Sequence, residues 1–64
     1  MLKNQILVLR GKLNMSLSEL SRLSGISRTQ LWRIENGHSE PTFRTMVKIS
    51  KDLKYDLWDV FLKN

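Results

Sequence analysis

Arg28, Thr29 and Arg33 stand close together in the stretch Ser27-Arg28-Thr29-Gln30-Leu31-Trp32-Arg33-Ile34-Glu35-Asn36-Gly37. A guanidinium offers two parallel N–H donors that match O6 and N7 of guanine, and a threonine is short enough to meet a thymine methyl or accept from a base amine. Gln30, Trp32 and Asn36 add amide and indole donors to the same stretch. The chemistry on offer is hydrogen bonding to base-pair edges and phosphates, without bond making. On a helical wheel Thr29, Trp32, Arg33 and Asn36 point one way, with Arg28 on the flank of the first turn; Leu31 and Ile34 point the other way with Ser27 and Glu35. A short helix with an apolar back and a polar front of this kind suits the major groove.

Such a front works only if other elements hold it outward. Ser27 followed by Gln30 is a capping-box arrangement, in which a hydroxyl and an amide satisfy free N–H groups at a helix start, and Asn36-Gly37 ends the helix because Gly takes the left-handed conformation freely. Ser16 followed by Glu19 is a second such box; it starts a helix that runs to Ser24 and ends at Gly25, with Leu20 and Ser24 facing inward and Ser21 beside them. Ile26 pins the turn between the two. Two short capped helices joined through Gly25-Ile26-Ser27 have the arrangement of a helix-turn-helix, spanning about residues 16–36, which lays its second helix in the major groove.

Three further helices complete an all-α bundle of five. Helix one, residues 2–13, carries the stripe Leu2, Ile6, Leu9 and Leu13 with Arg10 at its margin, and leaves Leu7 and Val8 off it. After the loop His38-Ser39-Glu40-Pro41, Pro41 blocks continuation of the recognition stretch and Thr42 caps helix four, residues 43–53. Its inward face is read as Phe43, Met46, Val47, Ile49, Ser50 and Leu53. Asp56 caps helix five, which turns Leu57, Val60 and Phe61 inward and sets Trp58 and Leu62 on a second apolar strip.

Composition narrows the classes. A chain of 64 residues buries only about 60% of its extended surface, so residues 1–64 are expected to share one core. There is no cysteine and only one histidine, so neither a disulfide framework nor a metal site of three or four ligands is expected, and the composition suits a reducing cytoplasm. The apolar run at 5–9 is interrupted by Arg10, Lys12 and Asn14, far short of the roughly 20 residues of a membrane span. The several serines include ones at helix starts, where capping explains them, and no nucleophile, base and orienter set stands out; nor does a phosphate-binding glycine loop. An enzyme, a cofactor and a small-molecule ligand are therefore not expected. The net charge is +5, and all of it lies in residues 1–48, with eight Lys/Arg against three Asp/Glu, while residues 49–64 hold three of each. A polyanion is the natural partner, nucleic acid ahead of a membrane surface, although charge of this size alone serves solubility equally well.

From residue 9 to residue 61 the chain resembles the lambda-repressor-like helix-turn-helix family, the Cro and phage-repressor type also called Xre-like. The resemblance lies in Leu9-Arg10, Ser16-x-x-Glu19-Leu20, Gly25-Ile26-Ser27-Arg28, Leu31-x-Arg33-Ile34-Glu35-x-Gly37 and Pro41-Thr42 followed by an amphipathic helix. Matched by position, it implies base contacts at Ser27, Arg28, Thr29 and Arg33, and an ion pair between Arg10 and Glu35 that ties helix one to the end of helix three. Phosphate contacts are expected from Ser16, Gln30, Trp32, Asn36, His38 and Arg44. For Trp32 the alternative is packing over the end of helix two, on Leu23, and for Gln30 it is the cap. Many relatives carry Gln where this chain has Leu17, so no polar role passes to that position, and Lys54-Tyr55 replaces a common Gly-containing connection. The resemblance further implies a cytoplasmic transcriptional repressor of bacterial, phage or plasmid context, bound to double-stranded DNA as a homodimer on a palindromic operator. Trp58 with Leu62 is the expected contact between copies. A restriction-modification controller, an activator using Glu19 and Glu40, and an antitoxin-like interaction protein remain alternatives.

Overall fold

A computed structural model describes residues 4–62. Helices α1 (Ile6–Lys12), α2 (Leu17–Ser24), α3 (Arg28–Glu35) and α4 (Phe43–Leu53) are followed by a π-helical turn, Trp58–Leu62. Ile6, Leu9, Leu20, Leu31, Ile34, Ile49, Leu53, Val60 and Phe61 are buried together in one cluster, flanked by Met15, Leu17, Ile26, Met46, Tyr55 and Leu57. Every helical segment contributes to it. α2 packs against both α3 and α4, and α1 against the π-helical turn. Among the described residues no helix is long and apolar enough to cross a membrane.

The helix starts follow the side chains that can accept a free N–H. Ser16, Ser27 and Thr42 have extended backbones, and their hydroxyls accept from the N–H of Glu19, Gln30 and Thr45. Asp56 Oδ1 accepts from Asp59 N–H at 2.9 Å. Both capping boxes are one-sided, contrary to the reciprocal reading. The Glu19 carboxylate binds Arg22, and the Gln30 amide donates to Ser39 Oγ at 3.4 Å, so neither side chain returns to its cap. Better-placed partners on the next turn and the following loop outcompete a neutral N–H that water can serve.

Three helix ends share one device. At Asn14, Gly37 and Lys54 the chain enters the left-handed region, with φ of 53°, 75° and 63°. The next residue's N–H then reaches back over the last turn: Met15 to Arg10 O, His38 to Arg33 O, Tyr55 to Ser50 O. This is the Schellman closure, with Met15 and Tyr55 folding onto the core after it. A left-handed lysine costs roughly 1 to 2 kcal/mol, part of which glycine's larger unfolded entropy would take back. Lys54→Gly is therefore expected to raise the melting temperature by about 4 °C, and an unchanged or lower value would mean that Lys54 is not strained.

Helix one differs most from its sequence reading. Leu2 lies outside the described residues, and α1 begins at Ile6, after Asn4 and Gln5 have left helical geometry. Asn4 is diverted by two bonds: its Oδ1 accepts from Ile6 N–H at 3.1 Å and its Nδ2 donates to Ile34 O at 2.9 Å. Gln5 N–H donates to Val60 O at 2.8 Å. The bonds to Ile34 O and Val60 O tie the residues before α1 to α3 and to the π-helical turn. At the other end Leu13 is exposed, because the closure at Asn14 turns the chain before the fourth stripe position meets the core. Phe43 and Val47 are also exposed, Phe43 by 66%, while Ile49, Ser50 and Leu53 are buried. The buried face of α4 is thus narrower than its apolar face.

Candidate nucleic-acid interface

The front of α3 faces solvent. Ser27, Arg28, Thr29, Gln30, Trp32, Arg33 and Asn36 are all exposed, whereas Leu31 and Ile34 are fully buried between them. The 3.6-residue period puts 31 and 34 against the core and leaves 28, 29, 32, 33 and 36 outward. Ser16 at the start of α2, His38 in the loop and Arg44 in the first turn of α4 are exposed as well.

The two ends of α3 are held by different means. At its C-terminal end Arg10 grips Glu35: Nε donates to Oε2 at 2.9 Å and an Nη lies 2.8 Å from the same oxygen. The remaining Arg10 Nη donates to Met15 O at 3.0 Å. Both side chains are nearly enclosed, 12% and 7% exposed, and Asn4 adds its bond to Ile34 O beside them. At its N-terminal end the turn from α2 is fastened by Ser21 Oγ donating to Ile26 O at 2.6 Å and by Ile26 N–H donating to Ser24 Oγ at 3.1 Å. The small residues on the inward side of α2 therefore hold the turn as well as letting helices approach.

On the exposed front some side chains are already engaged. The Trp32 ring stacks on His38, with centroids 5.3 Å apart and planes 18° from parallel. The Schellman closure at Gly37 swings His38 back over the last turn of α3, and the indole offers it an apolar face. Asn36 Nδ2 donates to Trp32 O at 2.9 Å, which uses part of its donor capacity. Ser16 and Ser27 accept their cap bonds, which leaves each hydroxyl proton to be given outward. Arg28 Nη1 donates to Ser18 Oγ at 3.0 Å.

Charge pairing divides the basic residues. Arg10, Arg22 and Lys48 are matched with Glu35, Glu19 and Asp52. The Glu19 hydrogen bond raises the already high pKa of Arg22, so its charge is constant across any working pH. Arg28, Arg33 and Arg44 have no carboxylate partner among the described residues; Arg28 and Arg33 lie on the α3 front, and Arg44 is exposed in the first turn of α4. Uncompensated guanidiniums on a bare helix face can meet an anionic backbone without first breaking an ion pair. Among the described residues no group of three His, Asp or Glu side chains is placed to hold a metal ion.

Ser18, Ser39 and Asn4 escape sequence reasoning. Each acts on a residue of another element, and no local spacing rule links Ser18 to Arg28 or Asn4 to Ile34.

The arrangement has relatives. No curated protein matches the chain. Among solved structures, a transcriptional regulator of the HTH_3 family from Vibrio cholerae is similar, at 36% identity and a TM-score of 0.77, over 83% of this chain and 30% of that one. The present sequence thus spans less than a third of that regulator. Residues 6–57 match the helix-turn-helix family HTH_3, a span from the first buried residue of α1 to the start of the last helical segment. Two capped helices with a fastened turn, a buried back and a bare front on the second, and this match over most of the length agree: the chain belongs to the lambda-repressor-like helix-turn-helix family.

Proposed function

We propose that this protein is a sequence-specific DNA-binding regulator of transcription that inserts α3 into the major groove. The observation that carries the reading is the solvent-facing set Arg28, Thr29 and Arg33 on a helix whose other side is fully buried. Arg28 and Arg33 read base edges, with Thr29 and Ser27 beside them, while Ser16, Gln30, Trp32, Asn36, His38 and Arg44 meet the sugar-phosphate backbone. The similar Vibrio cholerae protein is a transcriptional regulator, which supports the same role. Repression by occlusion of a promoter is the simplest action, since it needs only occupancy of the site. Selection of duplexes from a random pool tests the reading: a palindromic site with guanines opposite Arg28 is expected, and a pool that emerges unenriched overturns it.

Two copies act together. A single module of this size covers too little DNA for tight specificity, and a dimer on two half-sites about one helical turn apart doubles the contact. Trp58 and Leu62, 60% and 51% exposed on the π-helical turn, are the apolar residues that a second copy would cover. Trp58→Lys should sediment as a monomer and bind the selected site at least about tenfold more weakly. Unchanged sedimentation would remove this surface from the dimer. Exposed Leu7 and Val8 give an antitoxin-like role some footing, and a chain that binds no duplex but captures a protein through them would favour it.

A further inference from the structure

The first turn of α2 touches the first turn of α3 through one polar bond, from Arg28 Nη1 to Ser18 Oγ at 3.0 Å. The neighbours of Ser18 are committed elsewhere. Ser16 Oγ caps α2, Leu17 packs on the core, and Glu19 holds Arg22. Ser18 is neither a cap nor a core residue; it is exposed, and Arg28 is the partner of its hydroxyl.

The chemistry of this contact is directional. A guanidinium that gives an Nη1 proton to one acceptor keeps its opposite edge, Nε–H and Nη2–H, as a pair of parallel donors. That edge can match O6 and N7 of a guanine with two parallel hydrogen bonds. A neutral hydroxyl leaves the positive charge intact, whereas a carboxylate in the same place would cancel it. Glu19 is adjacent in sequence, and its engagement with Arg22 directs that carboxylate elsewhere. Arginine has many rotamers, and fixing one before binding removes part of the ordering cost that recognition otherwise bears.

We infer that Ser18 is a positioning residue for base readout: its hydroxyl orients the Arg28 guanidinium so that the Nε–Nη2 edge faces the floor of the groove. The inference rests on the regulator reading and adds to it a determinant on α2, outside the recognition helix. In water the bond is weak because solvent competes for both groups; it gains strength when DNA excludes that water.

The test uses the full chain and the duplex selected from a random pool, with Ser18→Ala, Ser18→Thr and a duplex carrying 7-deazaguanine opposite Arg28. Ser18→Ala is expected to bind the selected duplex about tenfold more weakly, with unchanged binding to an unrelated duplex and an unchanged salt slope. The wild type should lose about tenfold when N7 is replaced, and Ser18→Ala should lose little further, because the contact is already misaligned. Ser18→Thr, which keeps the hydroxyl, should restore both values. Alanine favours helix more than serine does, so a melting temperature at or above wild type separates the effect from unfolding. A Ser18→Ala chain that keeps its guanine preference and its full loss on 7-deazaguanine overturns the role of Ser18 alone. A wild-type chain that binds all duplexes equally overturns the regulator reading and Ser18's role with it.

Discussion

Replacing Arg10 by Met should unfold this protein more readily than any change on its exposed front. Arg10 donates to Glu35 through two nitrogens and to Met15 O through the third, in a site where the Glu35 side chain is only 7% exposed. Methionine fills the volume but leaves the carboxylate with little water and no cation. Removing one partner of an enclosed pair costs about 3 to 5 kcal/mol. A chain of 64 residues has about 3 to 10 kcal/mol in all, so the variant should lose from about a third to all of its stability. Arg10→Met with Glu35→Leu should recover much of the loss, since the cost lies in the orphaned charge more than in the absent attraction. Both side chains are nearly enclosed and apart from the exposed set Arg28, Thr29 and Arg33, so the folded fraction should select the same DNA sequence. A thermal melt displaced by only a few degrees, or a changed base preference, would count against a structural pair.

Binding to the selected duplex should fall about ten-thousandfold between about 50 and 200 mM salt, if a dimer neutralises about eight phosphates. Each released counterion contributes to the slope, and Arg44, exposed and without a carboxylate partner among the described residues, is one source on each copy, while Arg28 and Arg33 add positive charge at the groove. Arg22 and Lys48 contribute less because Glu19 and Asp52 already screen them. Titrations at several salt concentrations measure the slope directly. Affinity that stays flat over that range would mean that phosphates are not the principal contact, and the proposed placement of α3 in a duplex would fall.

What the amino-acid sequence settles here is local. Ser16, Ser27 and Thr42 announce helix starts because a hydroxyl can reach an N–H three residues ahead whatever the rest of the chain does. Gly25 and Gly37 announce ends because left-handed backbone is cheap for glycine; α2 and α3 begin and stop where those residues stand, and α4 begins after Thr42. The period of 3.6 buries Leu31 and Ile34 and leaves Arg28, Thr29 and Arg33 outside, so the bare front was legible in the residues themselves. Lys54 carried no such signal: the fold imposes the left-handed turn on it, and the bonds to Ser50 and Lys51 carbonyls hold it there.

The tertiary structure alone decides which polar groups meet. An asparagine before α1 stays out of the helix because Ile34 O, thirty residues away, takes its amide. Phe43 and Val47 share the apolar side of α4 but stay uncovered, because amphipathicity ranks the faces of a helix without saying how wide a neighbour will cover them. Ser18 finds Arg28, Gln30 finds Ser39 and Trp32 finds His38 once the turns have brought their segments together. Capping and periodicity act over three or four residues and are written in the chain. Pairing between elements depends on where packing places them, and so the orientation of the guanidinium at the tip of α3 belongs to the fold.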